Sequence, residues 1–197
     1  PNFSLDGAGQ LEEYWGHLFA AHFNMGVNRS RFACPEYTGM YECPCCDEGK
    51  KAKMNDDEEL EKKYRYKMQM AYYVIDLHDN PDTKIAPENV KLWVASEYAI
   101  DRELSAACIK RTRKKGEFVD VEVYITDPAK PYIVTFEKTG SQLSTRYSRF
   151  ELIEAEPYDL SVFSKLPPIE DVIQYYDTDH MSRVVRLGAT EDKADSF

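Results

Sequence analysis

The chain has 197 residues and a formal net charge of −10, with 43% hydrophobic and 30% charged residues. This composition is ordinary for a globular protein of one domain with an attachment, or of two domains at most. No apolar run approaches the roughly 18 residues that a membrane span needs, and no signal peptide is visible, so we expect a cytoplasmic protein with no membrane partner.

The first predicted element lies in residues 11–23, which are rich in aromatic side chains and predict a strand or a short helix. A candidate metal site follows. Eleven residues separate His22 from Cys34, eight separate Cys34 from Cys43, and two separate Cys43 from Cys46. One imidazole and three thiolates are a ligand set of closed, tetrahedral, structural zinc sites. We therefore predict one structural zinc ion held by these four residues.

Other interpretations of the same residues stay open. A CxxC pair also occurs in redox-active dithiols, and free buried thiols or a disulfide would use the same cysteines. Cys45 could replace either of its CxxC neighbours, although vicinal cysteines rarely bind one metal in tetrahedral geometry. His17 could replace His22. We favour His22 because it is closer to the cysteines in sequence and precedes a predicted strand end and turn. The clustering of the five cysteines indicates a reducing compartment.

The middle of the chain contains strand patterns. Residues 47–64 are highly charged and predict an exposed helix or loop. Tyr64–Leu77 alternates aromatic or apolar with polar residues, which predicts a strand, and Val90–Ala95 predicts a second strand. Ser96 is a predicted N-cap for a helix that runs to about residue 109. Cys108 is spaced to lie on the buried face of this helix, so it is predicted as a core residue and not as a ligand.

The second half predicts a basic loop at residues 110–116 and three further strands. Phe118–Thr126 and Tyr132–Lys138 are predicted to pair as a hairpin, and Tyr147–Ala155 is the last strand. A C-terminal helix is predicted over residues 166–188, ended by Gly188 and followed by a polar tail.

Together these elements predict a mainly β chain with flanking helices. Five short strands, with a helix between the second and third, are compatible with an OB-fold, a five-stranded Greek-key barrel, here with an inserted zinc-binding loop. We expect an OB-fold core over residues 1–160, including a zinc subdomain at about residues 20–62. The C-terminal helix and acidic tail, residues 161–197, are expected to pack on this core or to trail from it.

Charge is distributed unevenly along the chain. Residues 1–60 have a net charge of −6, residues 61–150 of +3 and residues 151–197 of −7. The basic residues of the middle segment form three clusters, at Lys62–Lys67, Lys110–Lys115 and Arg146–Arg149. Local potential, and not net charge, determines whether a groove attracts phosphate, although such runs are also typical of solvated loops.

Aromatic residues are interleaved with these basic clusters. The chain has 14 tyrosines, more than a core accommodates easily, because each buried hydroxyl needs a hydrogen-bond partner. Tyrosines on an open sheet face can stack on unpaired bases, at about 1–3 kcal/mol per base. Some of these tyrosines must be core residues, but the pattern favours single-stranded nucleic acid as a ligand.

Catalytic motifs are absent from the sequence. It contains no Gly-rich phosphate loop, no HExxH and no GxSxG. A zinc ion with four protein ligands has no open position for a reacting water. We therefore expect a binding protein and not an enzyme. A magnesium-dependent nuclease is disfavoured because the carboxylates lack the spacing of a metal site.

The pattern as a whole resembles a known family, the zinc-containing single-stranded DNA-binding proteins of tailed bacteriophages, of the T-even helix-destabilising type. The resemblance rests on the metal spacing, on KKYRYKMQMAYYVID, on KLWVAS with a helix behind it, on DVEVYITDPAKPYIVTFEKTG and on TRYSRFEL. It covers most of residues 15–160. It implies an OB-fold that binds single-stranded DNA without sequence preference in phage replication, recombination and repair, in the host cell cytoplasm.

The resemblance also implies site residues and partners. The zinc ligands would be His22, Cys34, Cys43 and Cys46. The DNA cleft would draw on Tyr64, Arg65, Tyr66, Lys67, Tyr72, Trp93, Arg111, Arg113, Lys138, Arg146, Tyr147 and Arg149. The acidic C-terminal region would recruit replication and recombination proteins. We expect a monomer whose basic N-terminal arm, used by the family for cooperative DNA binding, precedes Pro1.

One function of a different class competes with DNA binding. The acidic flanks are also compatible with a zinc-stabilised adaptor that binds proteins of the phage replication or transcription machinery. Absence of DNA affinity at low salt, with partner binding retained, would favour the adaptor.

Overall fold

The protein was analysed as a computed structural model that describes residues 16–78, 80–114, 117–125, 127, 129–141, 145–158 and 165–191. The last six residues of the predicted acidic tail lie outside these ranges. Eight strands and five α-helices occur in the described residues. They are β1 His17–Met25, β2 Ser30–Ala33, α1 Pro44–Met54, α2 Glu58–Tyr64, β3 Lys67–Ile75, β4 Val90–Ser96, α3 Glu97–Ala107, β5 Ile109–Lys114, β6 Glu117–Glu122, β7 Tyr132–Thr139, β8 Arg146–Glu154, α4 Ile169–Val172 and α5 Thr178–Glu191.

Four of the strands form one curled antiparallel sheet, a half-barrel with strand order β2-β1-β3-β4. Within it β1 pairs with β2 through Ala21↔Ala33 and His22↔Phe32, and the register shifts after His22. The prediction of a mainly β chain with flanking helices is confirmed. The finer prediction, a five-stranded Greek-key barrel, stays a prediction, because the other described strands form two separate hairpins.

The two hairpins correct the predicted pairing. The basic segment predicted as a loop is strand β5, and it pairs with β6 from Ile109↔Glu122 to Lys114↔Glu117. Strand β7 pairs instead with β8. Only two residues separate β5 from β6, whereas nine that include two prolines separate β6 from β7. Close neighbours in sequence pair at a lower entropic cost of loop closure, so the pairing follows the shorter connection.

The predicted C-terminal helix is interrupted. The structure divides it into α4 and α5, and α5 continues past Gly188. Asp177 interrupts the predicted run and starts α5, because its carboxylate accepts a hydrogen bond from the backbone N–H of His180 at 2.7 Å.

Contacts between residues divide the chain into two compact units. The larger unit comprises residues 1–17 and 70–169, and the smaller unit comprises residues 18–69 and 170–197. Helix α5 therefore belongs to the same unit as the predicted zinc ligands. None of the described helices combines the length and the apolar character needed to cross a membrane.

The core of the smaller unit surrounds the cysteines. Buried members of this cluster are Ala20, Met25, Phe32, Cys34, Cys43, Cys45, Tyr64, Met181 and Val185. Helix α5 contributes the last two, and its Val184 lies against Gly26. The segment before α5 adds a polar contact, since the Tyr41 hydroxyl donates to the backbone carbonyl of Tyr176 at 2.6 Å. The C-terminal segment is thus an integral part of this unit.

The larger unit contains the predicted helix α3. Ile100 and Leu104 are buried, as their spacing predicts. Cys108, predicted as a core residue, follows the last residue of the helix and is half-buried. Its backbone carbonyl accepts a hydrogen bond from Val123 at 2.7 Å and so continues the β5–β6 ladder.

Candidate metal centre and aromatic surface

The structure brings His22, Cys34, Cys43 and Cys46 together, with one ligand atom of each lying within 4.8 Å of all the others. The Cys34 and Cys46 sulfurs are 3.5 Å apart, and His22 Nε2 lies 3.3 Å from Cys43 Sγ and 3.6 Å from Cys46 Sγ. With Zn–S of about 2.3 Å and Zn–N of about 2.0 Å, a regular tetrahedron separates two sulfurs by about 3.8 Å and sulfur from nitrogen by about 3.5 Å. The four residues therefore fit one metal ion.

Three elements position these ligands. His22 lies on β1, and Cys34 directly follows β2, where its N–H donates to the Ala20 carbonyl at 2.8 Å. Cys43 is the N-cap residue of α1 and Cys46 lies in the first turn of that helix, with Pro44 as its first residue. A CxxC pair at a helix N-terminus aims both sulfurs at one point, and the helix dipole favours thiolates there.

The two nitrogens of His22 have different roles. Nδ1 lies 2.8 Å from the carbonyl oxygen of Tyr64, and the imidazole is completely buried. Because a carbonyl only accepts, Nδ1 must carry a proton and donate it. Once Nε2 has lost its proton, its lone pair is directed toward the three sulfurs. Metal-binding histidines are oriented in this way in proteins.

Electrostatics favour a bound cation. Hydrogen bonds from the thiols of Cys34, Cys45 and Cys46 hold the pKa of Cys43 well below its usual range. Hydrogen bonds to Cys34 and Cys43 raise the pKa of Cys46. Burial lowers the pKa of His22, but hydrogen bonds to Cys34 and Cys43 outweigh it and raise the pKa to about 9. Without metal, protons hold the cluster together, and a divalent cation would replace them.

The two alternative ligands, Cys45 and His17, lie outside the cluster. Cys45 is completely buried in the surrounding core but is not among the four clustered ligands. His17 begins β1 and is half-buried. It lies five residues before His22 on the same strand, and residues an odd number apart point to opposite faces of a strand.

The predicted tyrosine stripe separates into buried and exposed residues. Tyr64 is 4% exposed within the core around the cysteines, so the prediction that its ring contacts DNA is corrected. It ends helix α2 and does not belong to β3. Tyr66 is 40% exposed; its ring meets His22 edge-on at 6.1 Å and Tyr37 at 5.8 Å. Arg65 and Lys67 beside it are exposed.

The larger unit assembles a second group of aromatic rings, which we call the aromatic surface. It contains Tyr72, Trp93 and Tyr147, all predicted from the sequence, and two residues that the prediction missed, Phe136 and Phe150. Trp93 is stacked on Phe136 with a centroid distance of 5.3 Å and an interplanar angle of 3°. The alternation of YIVTFEK could have indicated Phe136, but nothing in that pattern singles it out.

Exposure differs among these rings. Tyr72 is 4% exposed and its ring contacts that of Trp93, whereas Phe136 is 38% exposed. Trp93, Tyr147 and Phe150 are half-buried. The outer rings therefore retain part of their area for a ligand, and Tyr72 does not.

Cations lie on the strands that carry these rings. Lys138 is exposed and pairs with Tyr147 across the β7–β8 ladder, and Arg146 is exposed next to it. Arg149 donates to a carboxylate oxygen of Glu137 at 2.7 Å. The predicted residues Arg111 and Arg113 lie on β5, where Arg111 is placed over the Phe118 ring.

Comparison with known proteins adds no relative. No protein-family model matches the sequence, and no curated protein matches it at a significant level.

Proposed function

We propose that this protein binds single-stranded DNA without sequence preference, as a zinc-stabilised binding protein without enzymatic activity. Its proposed setting is phage DNA replication, recombination and repair in the host cytoplasm. The proposal is supported chiefly by one observation: the outer rings of the aromatic surface are partly exposed, and cations lie on the same strands. These outer rings are Trp93, Phe136, Tyr147 and Phe150.

This arrangement suits unpaired bases. A closed core would bury all of its rings, but Phe136 remains 38% exposed at the centre of the group, in contact with Trp93, Tyr147 and Phe150. Base–aromatic stacking contributes about 1–3 kcal/mol per base and tolerates any sequence, because every base has a π-face. Paired bases cannot present that face, so single strands are favoured over duplex.

Phosphate contacts would come from the cations beside the rings. Lys138 is exposed and pairs with Tyr147 in the ladder, so it lies on the face of the rings. Arg146 is also exposed, but it pairs with Thr139 and lies on the opposite face. Each phosphate neutralised on a single strand contributes about −0.7 to the slope of log affinity against log salt. The chain has a net charge of −10, so binding depends on these local cations and weakens steeply with salt.

The metal has a structural role in this proposal. We propose zinc because three thiolates and one imidazole are a usual structural zinc set. Zinc would link β1, the segment after β2 and helix α1, and so stabilise the smaller unit. With four protein ligands, no position remains for a reacting water.

The test uses the fluorescence of Trp93. The chain has two tryptophans, so a Trp15→Phe variant leaves Trp93 as the reporter. Titration with an oligo(dT) strand at several salt concentrations, and with a duplex of equal length, should show quenching by the single strand that weakens steeply with salt. Absence of any response or binding at low salt overturns the proposal.

The adaptor function has one observation in its favour. In the smaller unit, Tyr37, Met40 and Tyr41 are 44%, 58% and 36% exposed, beside Glu36 and Glu42. Exposed aromatic and Met side chains are enriched at protein interfaces. If DNA binding fails and a partner protein is lost on replacing Met40 and Tyr37 with serine, the adaptor function is supported.

A further inference from the structure

The β5–β6 hairpin has one face that is entirely exposed. Opposed residues of antiparallel strands share a face, so the register Arg111↔Asp120 and Arg113↔Phe118 places these four side chains on the same side. Ile109 and Glu122, which also oppose each other, lie on this face too. All six side chains are exposed, and the exposed fractions of Ile109 and Phe118 are 56% and 66%. An exposed phenylalanine forgoes most of the roughly 1.5–3 kcal/mol that its burial would contribute.

The opposite face of the hairpin anchors it. Val119 and Val121 are half-buried. The Lys110 ammonium lies 4.6 Å from the centroid of the Tyr132 ring on β7. The hairpin is therefore held through one face, and the described residues leave the other uncovered.

The uncovered face combines a ring with a stacked cation. The Arg111 guanidinium carbon lies 5.4 Å from the centroid of the Phe118 ring. This face carries two cations of β5, Arg111 and Arg113, opposite the β6 residues Asp120 and Phe118. Unpaired bases stack on aromatic rings and on guanidinium planes, and neighbouring cations bind the phosphates.

We propose that this face is a second contact for single-stranded nucleic acid, with a base stacked on Phe118 and Arg111 on a flanking phosphate. The inference rests on the proposed function and extends the binding site beyond the aromatic surface. An acidic peptide would engage the cations but gives no role to the exposed ring.

The test compares two alanine variants of the same face by fluorescence anisotropy with a labelled oligo(dT). Phe118→Ala should weaken binding about 5- to 150-fold, the effect of losing one stacked base, and leave the salt slope unchanged. Ile109→Ala, the matched control, removes an equally exposed aliphatic side chain and should stay within about twofold. Arg111→Gln should reduce the salt slope by about 0.7.

Failure of this inference is distinguishable from failure of the proposed function. If the unmodified protein binds oligo(dT) and Phe118→Ala behaves like Ile109→Ala, the second contact is overturned while the proposed function stands. If the unmodified protein does not bind, both are overturned. Poly-glutamate as a competitor tests the acidic-peptide alternative. Poly-glutamate binding that is weakened by Phe118→Ala as much as oligo(dT) binding is would also overturn the inference.

A position-specific readout completes the test. An oligonucleotide carrying 5-iodouracil, irradiated in the complex, should cross-link to the tryptic peptide GEFVDVEVYITDPAKPYIVTFEK. This peptide contains both Phe118 and Phe136, so tandem mass spectrometry should place the cross-link at Phe118 and not only at Phe136. The cross-link should disappear in Phe118→Ala and persist in Ile109→Ala. Cross-links confined to other residues, Phe136 included, contradict a base on this ring.

Discussion

Tyr147 and Phe150 lie three residues apart in β8, yet both contact the same ring. Their centroids are 5.4 and 5.3 Å from that of Phe136. In a regular strand this odd spacing would place them on opposite faces. The register of the β7–β8 ladder shifts between Thr135 and Glu137, and Arg149 adopts a left-handed φ of 54°. This β-bulge turns Phe150 back to the face of Tyr147 and so creates the aromatic surface.

Substitutions at Arg149 should report on this bulge. A left-handed conformation costs a non-glycine residue roughly 1–2 kcal/mol. Arg149→Gly relieves that cost and loses an exposed ion pair worth at most about 1 kcal/mol, so its free energy of unfolding should stay within about 1 kcal/mol of the unmodified protein. Arg149→Val should lose about 1–3 kcal/mol, because a β-branched side chain fits this region poorly.

Urea denaturation followed by tryptophan fluorescence measures both values. Arg146→Val is the control, since it replaces another exposed arginine of the same strand and should change stability by less than about 0.5 kcal/mol. Equal losses for the two valine variants would show that the conformation at residue 149 is not the cause.

The same bulge shows why the sequence predicted the strands and some of their aromatic residues, but not which face of the sheet each residue occupies. Alternation identifies β3, β4, β7 and β8 to within a few residues, and it names Trp93 and Tyr147. A bulge inserts one residue into the pattern and reverses every assignment beyond it. Phe150 was therefore missed, although it lies within a predicted strand. Phe136 lies on the partner strand β7 and was missed because nothing in the alternation of YIVTFEK singles it out.

The metal cluster was more predictable than the strand pairing. Its ligand types and short spacings restrict the geometry, and the structure brings together the four residues that the sequence singles out. Strand β5 was predicted as a loop because IKRTRK has almost no apolar residues, although an exposed hairpin strand does not need them. The position of α5 beside the cysteines is a long-range contact that no local pattern encodes.

Replacement of one ligand should separate metal binding from burial. Cys43→Ser should lose the metal, because a neutral hydroxyl cannot replace a thiolate, and the smaller unit should lose several kcal/mol of stability. Cys45→Ala is the matched control, since Cys45 is two residues from Cys43 and completely buried but is outside the cluster. It should retain about one zinc ion per chain.

Zinc content by mass spectrometry and thermal unfolding with and without chelator check this pair. Unchanged zinc content and melting of Cys43→Ser would refute the assignment of the metal centre. Loss of zinc from Cys45→Ala alone would move the site to the neighbouring cysteine.

Metal binding should release protons and depend on pH. In the metal-free protein the pKa of His22 is raised to about 9, and the pKa of Cys46 is raised as well. Both groups are therefore protonated at pH 7 and must lose their protons to bind a cation. Affinity should rise by about two decades per pH unit between pH 6 and 8, and fall correspondingly toward acid.

Calorimetric titration with zinc in buffers of different ionisation enthalpy counts the protons directly. We expect at least about two protons released per ion at pH 7. In Cys45→Ala the number should be unchanged. Release of clearly fewer than about two protons would mean that His22 and Cys46 do not both act as ligands.

A pair of glycines should show how much the packing of α5 stabilises the smaller unit. Gly26 and Gly39 have nearly equal left-handed φ values, 64° and 70°. A Cβ on Gly26 would lie 2.6 Å from a methyl carbon of Val184 and 2.8 Å from its carbonyl oxygen, whereas a Cβ on Gly39 would meet nothing within 4 Å. Alanine at the two positions thus imposes the same backbone strain and differs only in the contact with α5.

Gly39→Ala should therefore lose about 1 kcal/mol, and Gly26→Ala a further 1–3 kcal/mol or so from overpacking against α5. Urea denaturation of both variants gives the difference. In the double variant Gly26→Ala/Val184→Ala, only part of the loss should be recovered, because the helix carbonyl still obstructs the new methyl group. Equal losses for the two glycine variants would show that α5 does not pack against the turn at Gly26, and full recovery in the double variant would assign the whole effect to the Val184 side chain.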